Sequence, residues 1–594
     1  MKVSKTNCRR KILAAAISLV CAQTAYAASL PGAATPGGVQ PSLPDYQDNL
    51  SDEPELTIPA RSERPIDLEA GPVIAVQEIK LFEIFDAGAS KQLVVDPAIK
   101  DLITSDRKAY PNGYTLGALQ KLADRLSNHY RERGRILATV FVPAQDVENG
   151  VVELHILPGR LSEVVAVGDS GYSDEQLARP FEKLGDQVLD KESIESSLLT
   201  VLDYPGLSVS GVLEPGEGVG TTRLNLSVNS EDRFAGIVYA DNKGSRYSGE
   251  ERLGVGLIFN NPFGQIDQLR LDLMAQNKPE EEDGSSVDNA LFGGVSYTFR
   301  PFDPSYELGF EYSYNEYDIG RELSSFGYEG RSERLGFHLK KQLRRSRTFN
   351  DHLKLKLNLN EAETTRDGDV DGLDELTTLE LSYGMDFSDD LLGGGFSSLE
   401  ATFTQGFDGV LGSMDNGDSR ISRKIDGGVA PVDFNKLEIS ATRYQRFVAD
   451  TTLRFRFDAQ FSDDPLVSLE QFSLGGPDSV RAYPGAEFMA DKGFFASAEL
   501  ISPFPVIGDK DAFGGKTWGE VVQLSLFLDY AKGYKNDALS SDIDKAELTG
   551  TGIGLRIAPY DGLEGNITFA TQVGGDDASN KRDPQIFVDL IYQF

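Results

Sequence analysis

From about Arg233 to Phe594 the chain alternates apolar and polar residues in one segment after another. In the last segment Ile586, Val588, Leu590, Tyr592 and Phe594 share one face, while Phe587, Asp589, Ile591 and Gln593 share the other. A two-residue period belongs to a strand, whose successive side chains point to opposite sides. It recurs over about 360 residues, with acidic loops such as Glu280 to Asp283 between the segments. Two faces in two different solvents call for a transmembrane antiparallel β-barrel rather than a soluble core. Past residue 27 no apolar run reaches the roughly 18 residues a spanning helix needs. Lipid satisfies no backbone polar group, so a spanning chain of this kind must close its strands on themselves.

Sixteen candidate strands start near residues 232, 251, 266, 289, 305, 331, 350, 375, 397, 434, 450, 493, 521, 549, 563 and 585. An even count returns both barrel ends to one side. The connections 260–265, 299–304 and 559–562 are tight, whereas 274–287, 318–329, 361–373 and 405–428 run long. Short turns on one side and long loops on the other are the habit of such barrels, so the alternation supports the count. The stretch 504–519 breaks it, being long on the short-turn side.

The first 27 residues read as a secretory signal peptide. Lys2, Lys5, Arg9, Arg10 and Lys11 precede an apolar run from Ile12 to Ala22, and Ala25-Tyr26-Ala27 offers a small-x-small cleavage site. A lipidated Cys21 is the rival reading, but Val20 before it fits a lipoprotein site poorly. Cys8 and Cys21 both fall inside the signal, so the mature chain carries no thiol or disulfide chemistry. Loss of the signal moves the net charge from −35 to about −40, which makes nucleic acid a poor partner.

Residues 28–71 hold seven prolines from Pro31 to Pro65 and read as an extended linker. At most Asp45 to Asp52 is available for a helix there. Residues 72–160 then read as a small α/β unit: a strand over Val73–Leu81, helices over Asp96–Ile103 and Thr115–Gly134, and strands over Ile136–Val142 and Val151–Leu157. The same order recurs over 161–230, with a strand over Leu161–Val167, helices over Ser173–Leu184 and Lys191–Leu202, and strands over Leu207–Leu213 and Thr222–Val228. The two copies form an internal repeat, and the barrel fills 231–594.

The least barrel-like stretch is Ser468 to Gly493, with Gly475-Gly476-Pro477-Asp478-Ser479-Val480-Arg481-Ala482-Tyr483-Pro484-Gly485 at its centre. A Gly/Pro-rich loop of this kind is able to fold back into a polar lumen, where its arginine needs a carboxylate. The segment Val521–Tyr530 offers one: with Leu524, Leu526 and Leu528 toward lipid, Phe527 and Asp529 face inward. A solvated pair contributes about 0–1 kcal/mol, whereas removing one partner of a buried pair costs about 3–5 kcal/mol. Both a plain structural lock and a conformational latch fit these residues.

Val480-Arg481-Ala482-Tyr483 resembles the Val-Arg-Gly-Tyr tip of the sixth outer loop in two-partner secretion transporters, the haemolysin secretion/activation family. Phe527-Leu528-Asp529 resembles the strand motif that this arginine meets. Residues 130–134, 143–150 and 158–160 are similar to the family's first polypeptide-transport-associated (POTRA) domain. Pro205-Gly206, Leu213 to Gly216 and Gly220 to Thr222 resemble the second, and Asn261-Pro262-Phe263-Gly264 a barrel hairpin. Two departures stand out: Ala482 replaces a glycine, and Ala531 stands where the strand motif usually has one. The resemblance implies a protein of the Gram-negative outer membrane with its POTRA domains in the periplasm. It also implies export, without ATP, of a large secreted β-helical exoprotein, with outer-membrane lipids and the barrel-assembly machinery as further partners. Phe594 would be the assembly signal. A strand edge over Ile136, Leu137, Ala138, Thr139, Val140, Phe141 and Val142, beside the Leu116, Leu119, Leu122 and Leu126 helix face, is the candidate client groove. The same leucines also suit the unit's own core. An insertion factor of the same superfamily and a passive porin are the alternatives.

No enzyme, cofactor or metal is expected. His129, His155, His338 and His352 are scattered, no phosphate-binding glycine loop occurs, and Asp367-Gly-Asp369-Val-Asp371-Gly372 opens like a calcium loop but has Thr378 at its twelfth position.

Overall fold

The computed structural model describes residues 30–44, 56–57, 67–69, 71–86 and 89–594, apart from 186, 232, 280–287, 449 and 506. The expected signal peptide, the candidate helix Asp45–Asp52 and the acidic run Glu280–Asp283 lie outside the described residues.

Sixteen antiparallel strands close into one barrel, each paired with its neighbour in sequence and the last, Gln585–Gln593, with the first, Phe234–Asp241. The alternation has the expected physical cause. Ile586, Val588, Leu590 and Tyr592 expose their side chains outward, while Phe587 and Asp589 are buried inward. The closing seam is short, running from Asp589↔Asp241 to Gln593↔Ile237, and is extended by mutual backbone hydrogen bonds between Phe594 and Gly236 at 2.8 and 2.9 Å.

One predicted loop is a hairpin instead. Strands Phe349–Arg366 and Asp369–Asp389 pair through Thr364↔Gly372, Thr365↔Val370 and Arg366↔Asp369, so 361–373 is strand on both sides of a two-residue turn. Asp367 and Gly368 have φ of 51° and 82°, the left-handed pair that a twisted two-residue hairpin requires. Asp369 and Asp371 therefore stand on a strand, not in a calcium-loop coil.

The two α/β units share a topology. In each, the first strand runs parallel to the last and the middle strand pairs antiparallel with the last. In the first unit the opening strand is Glu78–Asp86, later than the Val73–Leu81 expected, and a hairpin partner Ala89–Gln92 joins it. Asp96 caps the helix Pro97–Ala109, and Thr115 caps Leu116–Glu132 by accepting from the Ala118 amide. Leu119, Leu122 and Leu126 are buried in the unit's own core. The strand expected over Ile136–Val142 is only Thr139–Phe141, because Ile136 and Leu137 form a turn. In the second unit the helix expected over Ser173–Leu184 stops at Ala178, and a 3-10 turn carrying Pro180 follows.

The proline-rich N-terminal stretch is not a free linker along its length. Leu30 to Pro44 runs inside the barrel: the Ser245 hydroxyl bonds the Ala33 carbonyl, the inward-facing Arg252 donates to the Ser42 carbonyl at 3.3 Å, and Arg270 to that of Pro44 at 3.1 Å. Ala33, Ala34 and Val39 pack against Tyr247, Tyr317, Tyr328, Ala486 and Met489. A Cβ on Gly37 would overlap the Ser468 carbonyl, which is why a chain without side chains passes there. Farther along, Leu56–Thr57 adds as a parallel strand to the edge of the second unit's Leu207–Pro215.

Candidate functional site

The connection 462–491 lies on the side of the barrel away from the α/β units and is the sixth on that side. It folds into the lumen as a short hairpin, with Phe472–Leu474 paired to Phe488–Ala490. Gly475 and Gly476 have φ of 94° and 97°, and a Cβ on either would strike the returning backbone at Pro484 and Gly485. At the tip Val480, Ala482 and Tyr483 are fully buried among Phe527, Ala531, Leu548 and Ala570 of the barrel wall.

Arg481 is brought to Asp529. Nε and Nη2 donate to the two carboxylate oxygens at 2.8 Å each, and the Arg481 amide adds a third bond at 3.2 Å. The fork geometry is the bidentate form in which guanidinium–carboxylate pairs are strongest. The Asp529 side chain is completely buried, so an unpaired charge there would carry its full desolvation cost. Nη1 reaches Glu499 at 3.0 Å, and Arg454 balances that second carboxylate at 2.6 Å. Ser497 accepts from Arg481 and donates to Asp529 at 2.7 Å. The guanidinium carbon lies 3.3 Å from the Phe527 ring centroid, a cation–π contact sheltered from water. The Tyr483 hydroxyl donates to the carbonyls of Gly574 and Asp576 at 3.1 and 2.8 Å.

Glu499, Ser497 and Arg454 are partners that the motif reading did not name. Nor did it name the glycine track Gly550, Gly552 and Gly554, although a glycine at every second position of a strand signals a close approach on one face. A Cβ on Gly550 would collide with that of Ala482, and one on Gly552 with the Phe527 ring. The wall is hollowed where the tip sits. Ala482 avoids positive φ, and its methyl fills the space over Gly550. Ala531 is likewise buried in this cluster.

In the first α/β unit, the residues 136–142 offer little free edge. The outward Val140 amide donates to Ser127 Oγ at 2.8 Å, and Arg131 Nε bonds the Ala138 carbonyl at 3.1 Å. The equivalent edge of the second unit is the one that Leu56–Thr57 occupies, with Leu56 opposite Gly211.

The family model described as haemolysin secretion/activation protein ShlB/FhaC/HecB matches residues 220–557. The chain belongs to this family. A ShlB-type POTRA domain model matches residues 107–159, in the first α/β unit. The heme/hemopexin transporter protein HuxB of Haemophilus influenzae (strain 86-028NP) is 25% identical over 490 residues, covering 81% of each chain. The outer membrane transporter CdiB of Dickeya dadantii (strain 3937) is 24% identical over 416 residues, covering 68% of this chain and 71% of its own. The solved structure of CdiB from Escherichia coli has the same fold, with a TM-score of 0.67 at 21% identity over 92% of this chain and 94% of that one. As a haemolysin secretion/activation protein the chain is an outer-membrane transporter of two-partner secretion, its barrel preceded by two POTRA units.

Proposed function

We propose that this transporter captures an unfolded, β-rich exoprotein in the periplasm with its POTRA units and passes it outward through the barrel. The sixth loop is the gate. The observation that carries this reading is the Arg481 tip, whose charge, hydrogen bonds and ring contact are all met by barrel-wall residues. A loop so strongly paired, inside a lumen otherwise polar enough to solvate it, has two defined positions rather than a continuum. No nucleotide site is present in the sequence to drive the step, so folding of the client outside supplies the direction. The lumen is filled by Leu30–Pro44 as well as the loop, which speaks against a passive open porin.

Client capture is assigned to strand addition on POTRA edges. The second unit's edge already accepts Leu56–Thr57 in parallel register, and Gly211 leaves room for the Leu56 side chain. The sister edge at Thr139–Phe141 takes a client only after Ser127 and Arg131 release Val140 and Ala138. At the membrane end, the terminal strand with Phe594 is the segment read by the assembly machinery, and the outward apolar face meets outer-membrane lipid.

Comparison of the secretomes of wild-type and deletion strains tests the reading: one large exoprotein should vanish from the medium while outer-membrane proteins keep their levels. General loss of outer-membrane proteins would instead assign the chain to barrel insertion.

A further inference from the structure

The sixth loop has a second anchor at the far rim, 10 residues beyond Arg481 in the chain. Asp491 stands where the loop rejoins the wall, and its side chain is fully buried. Both of its oxygens receive the guanidinium of Arg423, which belongs to the fifth far-side connection, 408–434. The same carboxylate accepts from the Leu466 amide at 3.1 Å, Gln471 Nε2 at 2.9 Å and the Asn536 amide at 2.7 Å. Arg423 also reaches the carbonyls of Leu466 and Asn536. One ion pair therefore ties together the fifth loop, both stems of the sixth loop and the start of the seventh.

The fifth loop is placed to cover the mouth. Met414, Ile421, Ala430 and Val432 are buried against Leu373 and Leu376 of the long hairpin and against Val467, which leads into the inward loop. The Asp426 amide bonds the Asp537 carbonyl at 3.0 Å, a neutral second tie across the same gap.

We propose that Arg423 and Asp491 form a rim clasp that holds the fifth loop as a lid over the barrel mouth and must open for a polypeptide to emerge. The clasp acts in series with the Arg481 anchor. It rests on the reading of the barrel as an export conduit, and it makes opening a two-point event. Release of Arg481 frees the tip while the mouth stays covered. Release of Arg423 uncovers the mouth, so that each spontaneous unseating of the tip then completes an opening.

The full-length protein in planar bilayers, with potassium chloride as the probe, tests this directly. Arg423→Ala should raise the fraction of time spent in high-conductance openings at least tenfold, in a barrel that still shows heat-modifiable migration. A cysteine pair, Asp426→Cys with Asp537→Cys, leaves the buried ion pair intact, and the mature chain holds no competing thiol. Combined with Arg423→Ala, it should restore wild-type conductance when oxidised and lose that effect on reduction. Arg423→Ala with wild-type conductance, or an oxidised pair that fails to suppress its openings, overturns the clasp. Arg481→Ala in the same assay separates the two ideas. If only Arg481→Ala opens the pore, the inner gate stands and the clasp falls. If only Arg423→Ala opens it, the clasp stands and the inner gate falls.

Discussion

The sixth loop is held at two places that solve the same electrostatic problem in opposite ways. At the inner anchor one arginine serves two carboxylates, Asp529 and Glu499, with a ring beneath it. At the rim one carboxylate, Asp491, is served by one arginine and three neutral donors. The difference lies in what remains after one partner is lost. Without the Arg481 side chain, Asp529 keeps only Ser497 and the amide of residue 481 in a fully buried site. Without Arg423, Asp491 keeps two amides and a glutamine. Neutral donors stabilise a lone carboxylate, so the rim is built to open with less disruption than the interior.

That contrast sets the order of expected effects. Arg481→Ala should be the largest, with destabilisation of the seated loop by about 3–5 kcal/mol, the cost of an orphaned buried charge. Export of the client should be cut sharply while the barrel remains heat-modifiable, and in an Arg423→Ala background that uncovers the mouth, limited proteolysis of intact cells should newly cleave near 475–485. Normal export would remove the gate from the account. Arg481→Lys should be intermediate. An ammonium keeps the charge but not the planar fork, and the loss of paired hydrogen bonds to a carboxylate is worth about 1.5–3 kcal/mol. If lysine serves as well as arginine by proteolysis and export, charge alone holds the tip and the fork geometry is incidental.

How much of this was legible in the sequence follows from what each feature answers to. The barrel strands answer to two solvents, a local demand: fifteen of the sixteen begin within about four residues of where the alternation put them, and the one expected near 375 begins six residues earlier, at Asp369. Arg481 and Asp529 were legible because glycines and proline mark the loop and strand parity turns the aspartate inward. The rim anchor left no such trace. Arg423 sits in an aperiodic acidic loop, and its partner is 68 residues away. The segment at residues 30–44 was misread because its prolines exclude a helix, and extended chain was equated with free chain. Gly32, Gly37 and Gly38 were the available sign of close approach. At 361–373 the acidic residues suggested a loop, although Asp367-Gly368 is itself a hairpin signal. The Ile136–Val142 run alternates like a strand, but Ile136 and Leu137 turn to bring Val140 against Ser127, a contact with the helix that no local pattern specifies.

The packing side of the comparison can be probed without touching any charge. Gly550→Val adds a branched side chain where the Ala482 methyl already lies, and overpacking of this kind costs about 1–3 kcal/mol. The tip should lift from the wall even though Arg481 and Asp529 are unchanged, and in the same Arg423→Ala background proteolysis near 475–485 should rise less than with Arg481→Ala. An unaltered cleavage pattern would mean that the wall yields and the ion pair alone fixes the loop.

The smallest effect is expected at Ala482, the tip residue where this chain departs from the motif it resembles. Ala482 holds a negative φ and fills the hollow over Gly550, so Ala482→Gly removes a packed methyl and adds backbone freedom in the released loop. The freedom term alone is about 0.5–1 kcal/mol, and it favours the released state. The variant should therefore open slightly more often than wild type, by about two- to fivefold in single-channel open time, with the rim clasp unaffected. The paired variant Ala482→Gly with Gly550→Ala tests whether the methyl or the backbone matters. It returns a methyl to the same space from the opposite wall, so recovery of wild-type open time would assign the effect to packing. Persistence of the extra openings would assign it to the freedom of the loop.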